Sequence, residues 1–134
     1  MKKEEAGKKI GILGGTFNPI HMGHLILAEE VLQKIGLSRM VFVPTNIPPH
    51  KDNTEIIPAP HRLKMLNLAI SGNPGFAVSD IEVKRGNRSY TIDTIKEFNR
   101  IYPGKELYFI IGSDLFSYLN EWKDLKEIIG LVKF

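Results

Sequence analysis

The chain has 134 residues, of which 43% are hydrophobic and 25% are charged, and it contains no cysteine. This composition is typical of one folded domain and excludes a disulfide framework and thiolate chemistry. The net charge of +3 is small and spread along the chain, so it indicates no nucleic-acid partner. No apolar run approaches the ~20 residues that a membrane span requires, and no signal peptide is evident, so we expect a cytoplasmic protein with no membrane partner.

The first half of the chain alternates strand-like and helical segments. Lys9–Leu13 is an apolar, β-branched run that two glycines stop, and Arg39–Pro44 predicts a second strand. Between them lies a helix that ends at Gly36, predicted from apolar residues on one face: Leu25, Ala28, Leu32 and Ile35. After a long loop, Pro60 opens a second helix, predicted from Leu63, Leu66 and Ile70.

The second half repeats this alternation. Phe76–Val83 predicts a third strand and Glu106–Gly112 a fourth. The helix between them is predicted to be capped by Ser89 or Thr91, with one apolar face made of Ile92, Ile95, Phe98 and Ile101. A short helical stretch from Asp114 and a helix in KDLKEIIG follow, and LVKF predicts a fifth strand.

This alternation predicts an α/β fold, a doubly wound parallel sheet of Rossmann-like strand order 3-2-1-4-5. Ligands bind beyond the carboxyl ends of the strands at the point where the strand order reverses, which is between strands 1 and 4. The segment 14–24 follows strand 1 and the segment 112–114 follows strand 4. We therefore expect these two loops to share one crevice.

The loop after strand 1, GGTFNPIHMGH, combines glycine with imidazole. Gly14 and Gly15 lack a Cβ, so a ligand can approach the backbone closely. The next helix begins near residue 22 or 23, and its unpaired N–H groups form a site suited to phosphate, to which His21 and His24 can add donors. Two other interpretations remain open, since glycine pairs often form simple tight turns and an H-x-x-H pair can bind a metal ion.

Four motifs in order, GGTFNPIHMGH, PPHK, SYTIDTI and FIIGSDLF with a later Trp122, resemble those of bacterial nicotinate-nucleotide adenylyltransferases. The first of them resembles the T/HxGH signature of the nucleotidyltransferase superfamily. The resemblance covers nearly the whole chain. It departs at Asn18, where many members have aspartate, and we expect the side chain of Asn18 to brace the loop.

The resemblance implies that ATP and nicotinate mononucleotide react to give deamido-NAD and pyrophosphate. His21 and His24 would donate to the ATP phosphates, and Mg²⁺ would be held mainly by those phosphates and by water rather than by a protein metal site. The ATP side would be lined by backbone groups of Gly14, Gly15, Thr16 and Phe17. The ribose and phosphate region would be met by Gly112 and Asp114.

On the second substrate, the resemblance implies that Lys51 binds the phosphate of the mononucleotide. It also implies that the nicotinate ring is held by Thr91, Trp122 and Lys123. Plainer interpretations stand beside these roles. Asp114 can be a helix cap, Lys51 a solvated loop lysine and Trp122 a core aromatic.

The family continues beyond the fifth strand into a Ser/Thr-rich segment with an arginine, and nothing like it precedes Phe134. We therefore expect residues 1–134 to be a single nucleotidyltransferase domain whose C-terminal part is missing, with weak ATP binding, slow turnover and possible self-association. The alternatives are another nucleotidyltransferase, such as pantetheine-phosphate adenylyltransferase or a cytidylyltransferase, and a non-catalytic nucleotide-binding fragment. A tRNA synthetase needs a much longer chain.

Overall fold

A computed structural model describes residues 8–46, 56–86 and 89–134, with the backbone alone for Asp114 and Leu115. In this part of the chain, five parallel strands form one sheet in the order β3-β2-β1-β4-β5, which confirms the predicted fold class and strand order. The strands are β1 (Lys9–Gly15), β2 (Arg39–Pro44), β3 (Phe76–Val78), β4 (Glu106–Ile110) and β5 (Val132–Lys133).

Helices connect the strands and cover both faces of the sheet. They are α1 (Met22–Ile35), α2 (Ala59–Ile70), α3 (Ile81–Arg85), α4 (Thr91–Ile101), α5 (Ser113–Phe116) and α6 (Leu125–Leu131), with a 3₁₀ turn at Leu119–Glu121. Within the described ranges, none of these helices is both long and apolar enough to cross a membrane.

Alternate residues of β1 supply two separate cores, because successive side chains of a strand point to opposite faces. Ile10 and Ile12 pack with buried residues of α4 and α6 on one face. Leu13 packs on the other face with Ala28 of α1 and Leu66 of α2. A strand buried on both faces reads as the continuous apolar run seen in the sequence.

The third predicted strand is too long. β3 ends at Val78, and α3 occupies part of the segment 76–83 that was predicted to be extended. The Ile81 N–H donates to Ser79 Oγ at 3.3 Å, and the Lys84 N–H donates to the Asp80 carbonyl at 2.8 Å. The Ser79 hydroxyl offers the backbone a local hydrogen bond of the kind that starts turns and helices, and this outweighs the alternating pattern.

The predicted helix faces need correction as well. In α1 Ala28 is buried, but Ile35 is 38% exposed, and in α4 Ile101 is 49% exposed. In α2 the buried face contains Arg62 together with Leu66 and Ile70, whereas the predicted Leu63 is half-buried. Ile35 and Ile101 are the last residues of their helices, and their side chains remain in solvent.

The predicted cap of α4 is also wrong. Tyr90 is the N-cap, with no side-chain cap hydrogen bond, and Thr91 is the first helical residue. The Thr91 hydroxyl is therefore not used as a cap.

Substitution of Ile12 by valine tests the core beneath β1. Ile12 is 0% exposed, so Ile12→Val is expected to lower the free energy of unfolding by about 0.5–1.5 kcal/mol. The matched control, Ile129→Val, changes a side chain that is 58% exposed and should stay within about 0.5 kcal/mol of wild type. Urea unfolding curves measure both. Equal effects would contradict the assignment of the core.

Candidate active site

The two loops singled out in the sequence leave neighbouring strands at one edge of the sheet. β1 and β4 are parallel and paired in the register Ile12 with Phe109 and Leu13 with Ile110. Gly14 and Gly15 at the end of β1 therefore lie beside the segment that follows β4. This is the reversal point of the strand order, where doubly wound sheets bind their ligands.

Two histidines cap the first helix. His21 is the N-cap of α1, with extended φ and ψ of −144° and 177°. The Gly23 N–H donates to His21 Nδ1 at 3.1 Å, and the His21 N–H donates to His24 Nδ1 at 3.1 Å. Because each Nδ1 accepts a hydrogen bond, the neutral imidazoles carry their proton on Nε2. Each ring therefore presents an N–H donor beside the helix N-terminus.

Close packing fixes the orientation of these two rings. The rings of His21 and His24 stack with centroids 3.8 Å apart and planes inclined by 25°. The ring of Phe17 meets His24 edge-on, with centroids 4.9 Å apart. A Cβ at Gly23 would lie 3.0 Å from His21 Cε1, so glycine allows the N-cap ring to lie against the backbone. Phe17 adopts a left-handed φ of 50° and is buried, which holds its ring beneath His24.

Burial lowers the pKa of His24, and a positive charge on His21 lowers it further. A histidine whose pKa is lowered favours the neutral form in the folded protein. Protonation of His24 would place a proton on Nδ1, which accepts the bond from the His21 N–H, and so would remove one half of the cap. The capped helix and the neutral ring therefore stabilise each other near neutral pH.

A cleft of about 230 Å³ opens at the ends of β1 and β4. Its lining includes four residues for which the sequence predicted a substrate-binding role, Gly14, Gly15, Thr91 and Trp122. Thr45 also lines it, and among the described residues its buried Oγ1 has no hydrogen-bond partner. A buried hydroxyl without a partner is costly, so it is suited to bind a ligand in the cleft.

Other residues with a predicted role lie outside this lining. His21, His24, Phe17 and Gly112 are not among the lining residues. Thr16 is half-buried in the loop after β1. Asp114 is the second residue of α5, and Lys51 lies outside the described residues.

Trp122 belongs to the core and to the cleft. Its ring meets Phe109 edge-on with centroids 5.8 Å apart, and it packs against the α4 side of the core. The neighbouring Lys123 is not among the residues that line the cleft, and its Nζ lies 4.6 Å from the centroid of the Tyr90 ring. Trp122 is thus half-buried, packs against the core as the core interpretation expects, and also lines the cleft.

A polar network missed in the sequence forms one wall of the cleft. Thr94 donates from Oγ1 to Glu82 at 2.6 Å, and Arg85 donates to Thr94 Oγ1 at 3.3 Å and to Ser89 Oγ at 2.9 Å. Burial raises the pKa of Glu82, although the hydrogen bond from Thr94 and the charge of Arg85 oppose that shift. The signal available in the sequence was Thr94, a polar residue between the apolar Ile92 and Ile95 of α4.

Hydrogen bonds also brace the loop after β1. The Ile57 N–H donates to Asn18 Oδ1 at 2.7 Å, which confirms the expectation that Asn18 braces this loop. The side chain of Arg62, buried on α2, donates to three backbone carbonyls in this region. The sequence carried a signal for this role, because Arg62 is a charged residue four positions before Leu66, on the apolar side of the helix.

Metal binding by protein side chains has no support among the described residues. There, no group of three or more His, Asp or Glu side chains is placed to hold a metal ion. Both histidines use Nδ1 as a helix cap, which leaves Nε2 on each for other contacts.

Fold and site together define an α/β protein with a doubly wound parallel sheet, in which a glycine loop leads from the first strand into a helix N-terminus suited to phosphate. The chain belongs to the cytidylyltransferase-like family, whose model matches residues 12–134.

Two curated relatives within this family are similar to the chain over most of its length. The nicotinate-nucleotide adenylyltransferase of Bacillus subtilis is 47% identical over 127 residues, which cover 95% of this chain and 67% of that protein. A Lactococcus lactis protein named a probable nicotinate-nucleotide adenylyltransferase is 48% identical over 127 residues, 95% of this chain and 65% of that protein. This chain therefore spans 65–67% of the length of these two curated relatives.

A solved structure shows the same fold. The nicotinic acid mononucleotide adenylyltransferase of Plasmodium falciparum, in complex with NaAD, superimposes with a TM-score of 0.76 at 21% identity. The match covers 91% of this chain and 60% of that one.

The pH dependence of stability tests the burial of Glu82. Because its pKa is raised in the folded state, Glu82 contributes stability below its unfolded pKa and loses that contribution as pH rises through the folded value. Glu82→Gln removes this titration and keeps an acceptor for Thr94. The Tm of Glu82→Gln relative to wild type should therefore increase between pH 4.5 and 8. A constant or decreasing difference would contradict the assigned shift.

Proposed function

We propose that this chain carries the catalytic nucleotide site of an adenylyltransferase that joins ATP and nicotinate mononucleotide to give deamido-NAD and pyrophosphate. The observation that carries the proposal is the capped start of α1, where His21 and His24 accept at Nδ1 and present Nε2–H to a ligand. The identity of 47–48% to relatives of that name supports the choice of substrates.

The reaction needs positioning and charge stabilisation rather than a general base. A phosphate oxygen of the mononucleotide, already ionised at neutral pH, attacks the α-phosphorus of ATP. The bond from that phosphorus to the oxygen bridging to the β-phosphate breaks, and pyrophosphate leaves with the electron pair. Donors at the helix N-terminus and on the two imidazoles stabilise the growing negative charge.

On the ATP side, backbone groups of Gly14, Gly15, Thr16 and Phe17 contact the nucleotide. Gly112 and Asp114 contact the ribose and phosphate region from the neighbouring strand. Mg²⁺ arrives with ATP as part of the substrate, held by phosphate oxygens and water, as its preference for such ligands favours.

The nicotinate ring occupies the cleft between β1, β4 and α4. Trp122 offers an aromatic surface there, and the hydroxyls of Thr91 and Thr45 offer hydrogen bonds. Lys123 helps to hold the nicotinate ring after its side chain moves away from the Tyr90 ring. Lys51 binds the phosphate of the mononucleotide. A cytoplasmic location and self-association remain predictions of the sequence.

Pyrophosphate release from MgATP tests this function. We expect release with nicotinate mononucleotide to exceed release with nicotinamide mononucleotide. Faster release with phosphopantetheine would show instead that the chain has the activity of a pantetheine-phosphate adenylyltransferase. ATP binding without release in any of these mixtures would favour a non-catalytic nucleotide-binding fragment.

Loss of one imidazole donor tests the phosphate site. His24→Ala should reduce kcat by about 10²–10³-fold, the usual cost of removing one donor to developing charge. Steady-state kinetics and Tm are measured together, with His61→Ala, a change at an exposed histidine, as the control. If the fall in kcat is fully explained by a lower fraction of folded protein, the donor role is contradicted.

Removal of a lysine charge tests the mononucleotide site. Lys51→Ala should raise the KM for nicotinate mononucleotide and leave the KM for ATP near its wild-type value, because one charge-assisted phosphate contact is lost. Lys64→Ala, at an exposed lysine of α2, is the matched control. An unchanged KM in Lys51→Ala would show that the loop does not bind this phosphate.

A further inference from the structure

Arg62 is a charged side chain buried beside the candidate active site. It lies on α2 and is 2% exposed, and within the described ranges it forms no ion pair. Burying a charge is costly unless hydrogen bonds replace its water. A structural role in the core alone would be served by an apolar side chain at this position, so the contacts of the guanidinium indicate its purpose.

Those contacts join three separate segments of the chain. Nε donates to the Ile57 carbonyl at 2.7 Å, and one terminal nitrogen donates to the carbonyls of Thr16 at 2.9 Å and Thr45 at 3.0 Å. Thr16 belongs to the loop after β1, Thr45 follows β2, and Ile57 precedes α2. One planar group therefore fixes the spacing of all three segments.

Further hydrogen bonds link the same segments to one another. The Thr45 N–H donates to the Gly15 carbonyl at 2.9 Å, and the Ile57 N–H donates to Asn18 Oδ1 at 2.7 Å. Gly15 and Thr45 both line the cleft, and the loop that contains Thr16 and Asn18 leads directly to the capped start of α1. The position of Arg62 thus determines where the glycine loop lies relative to the cleft.

We propose that Arg62 is a positioning residue, which holds the loop after β1 so that its backbone groups and the histidine cap meet the nucleotide phosphates. The inference rests on the proposed function. Lysine keeps the charge but lacks the planar fork, so it cannot donate to three carbonyls arranged in this way. Positional precision of this kind matters, because a misplacement of about 1 Å can cost about 10²-fold in rate.

Arg62→Lys is the test, with Leu66→Ala as the matched control one turn further along α2. Both change a buried residue, but a leucine side chain has no N–H group with which to donate to the three carbonyls. At a temperature where both variants are folded, kcat/KM for MgATP should fall by about 10–100-fold in Arg62→Lys and by less than about threefold in Leu66→Ala. Equal losses in the two variants would overturn the proposal.

Amide hydrogen exchange supplies a readout that does not require catalysis. In Arg62→Lys the N–H groups of Thr45 and Ile57 should exchange at least about tenfold faster, while that of Ile12 in β1 keeps its wild-type protection. Unchanged exchange at both positions would overturn the proposal.

If Arg62→Lys does not fold, the wild-type chain decides. The exchange rates of the Thr45 and Ile57 amides should then lie within about tenfold of those of the slowest core amides. Unprotected exchange at both amides would show that Arg62 does not hold these segments together, and would overturn the proposal. If wild type releases no pyrophosphate with nicotinate mononucleotide, the proposed function fails, while these exchange rates still decide the role of Arg62.

Discussion

The start of α1 depends on a pair of reciprocal hydrogen bonds in which two imidazoles replace the usual hydroxyl or carboxylate caps. Each ring accepts a backbone N–H at Nδ1 and is left with a donor at Nε2. A carboxylate cap would satisfy the same backbone groups but would repel a phosphate. Imidazole caps keep the helix N-terminus ordered and preserve its attraction for anions, and the lowered pKa of His24 keeps that ring in the neutral form that the cap requires.

The remaining parts of the site follow from where that helix begins. The parallel pairing of β1 with β4 brings the glycine loop next to the cleft. Phe17, which packs edge-on against His24, helps to fix the position of the His24 ring. On the other side, Asn18 and Arg62 tie the loop to the segment before α2. The Nε2–H donors of the two imidazoles and an apolar cleft that contains the unpaired Thr45 hydroxyl thus lie near the carboxyl ends of β1 and β4. This arrangement is suited to the proposed reaction, which needs positioning rather than a general base.

The strand order, the glycine loop and the histidines at a helix start could be predicted from sequence, because strand alternation and glycine placement are local signals. Long-range contacts could not. The hydrogen bonds of Arg62 join residues 16, 45 and 57, and the contact between Thr94 and Glu82 spans two helices. The helix α3 was missed because residues 76–83 alternate like a strand, whereas the strand ends at Val78 and Asp80 is the N-cap of α3. The cap of α4 was misplaced because threonine is a common cap and also a tolerated first helical residue.

The tautomeric state of the two histidines tests the central claim most directly. Long-range proton–nitrogen NMR of the ¹⁵N-labelled chain at neutral pH distinguishes a proton on Nδ1 from one on Nε2. We predict that His21 and His24 both carry the proton on Nε2, and that inorganic pyrophosphate shifts these two Nε2 signals while leaving those of the exposed His61 in place. A proton on Nδ1 of either ring, or a pyrophosphate response that spares both, would contradict the account.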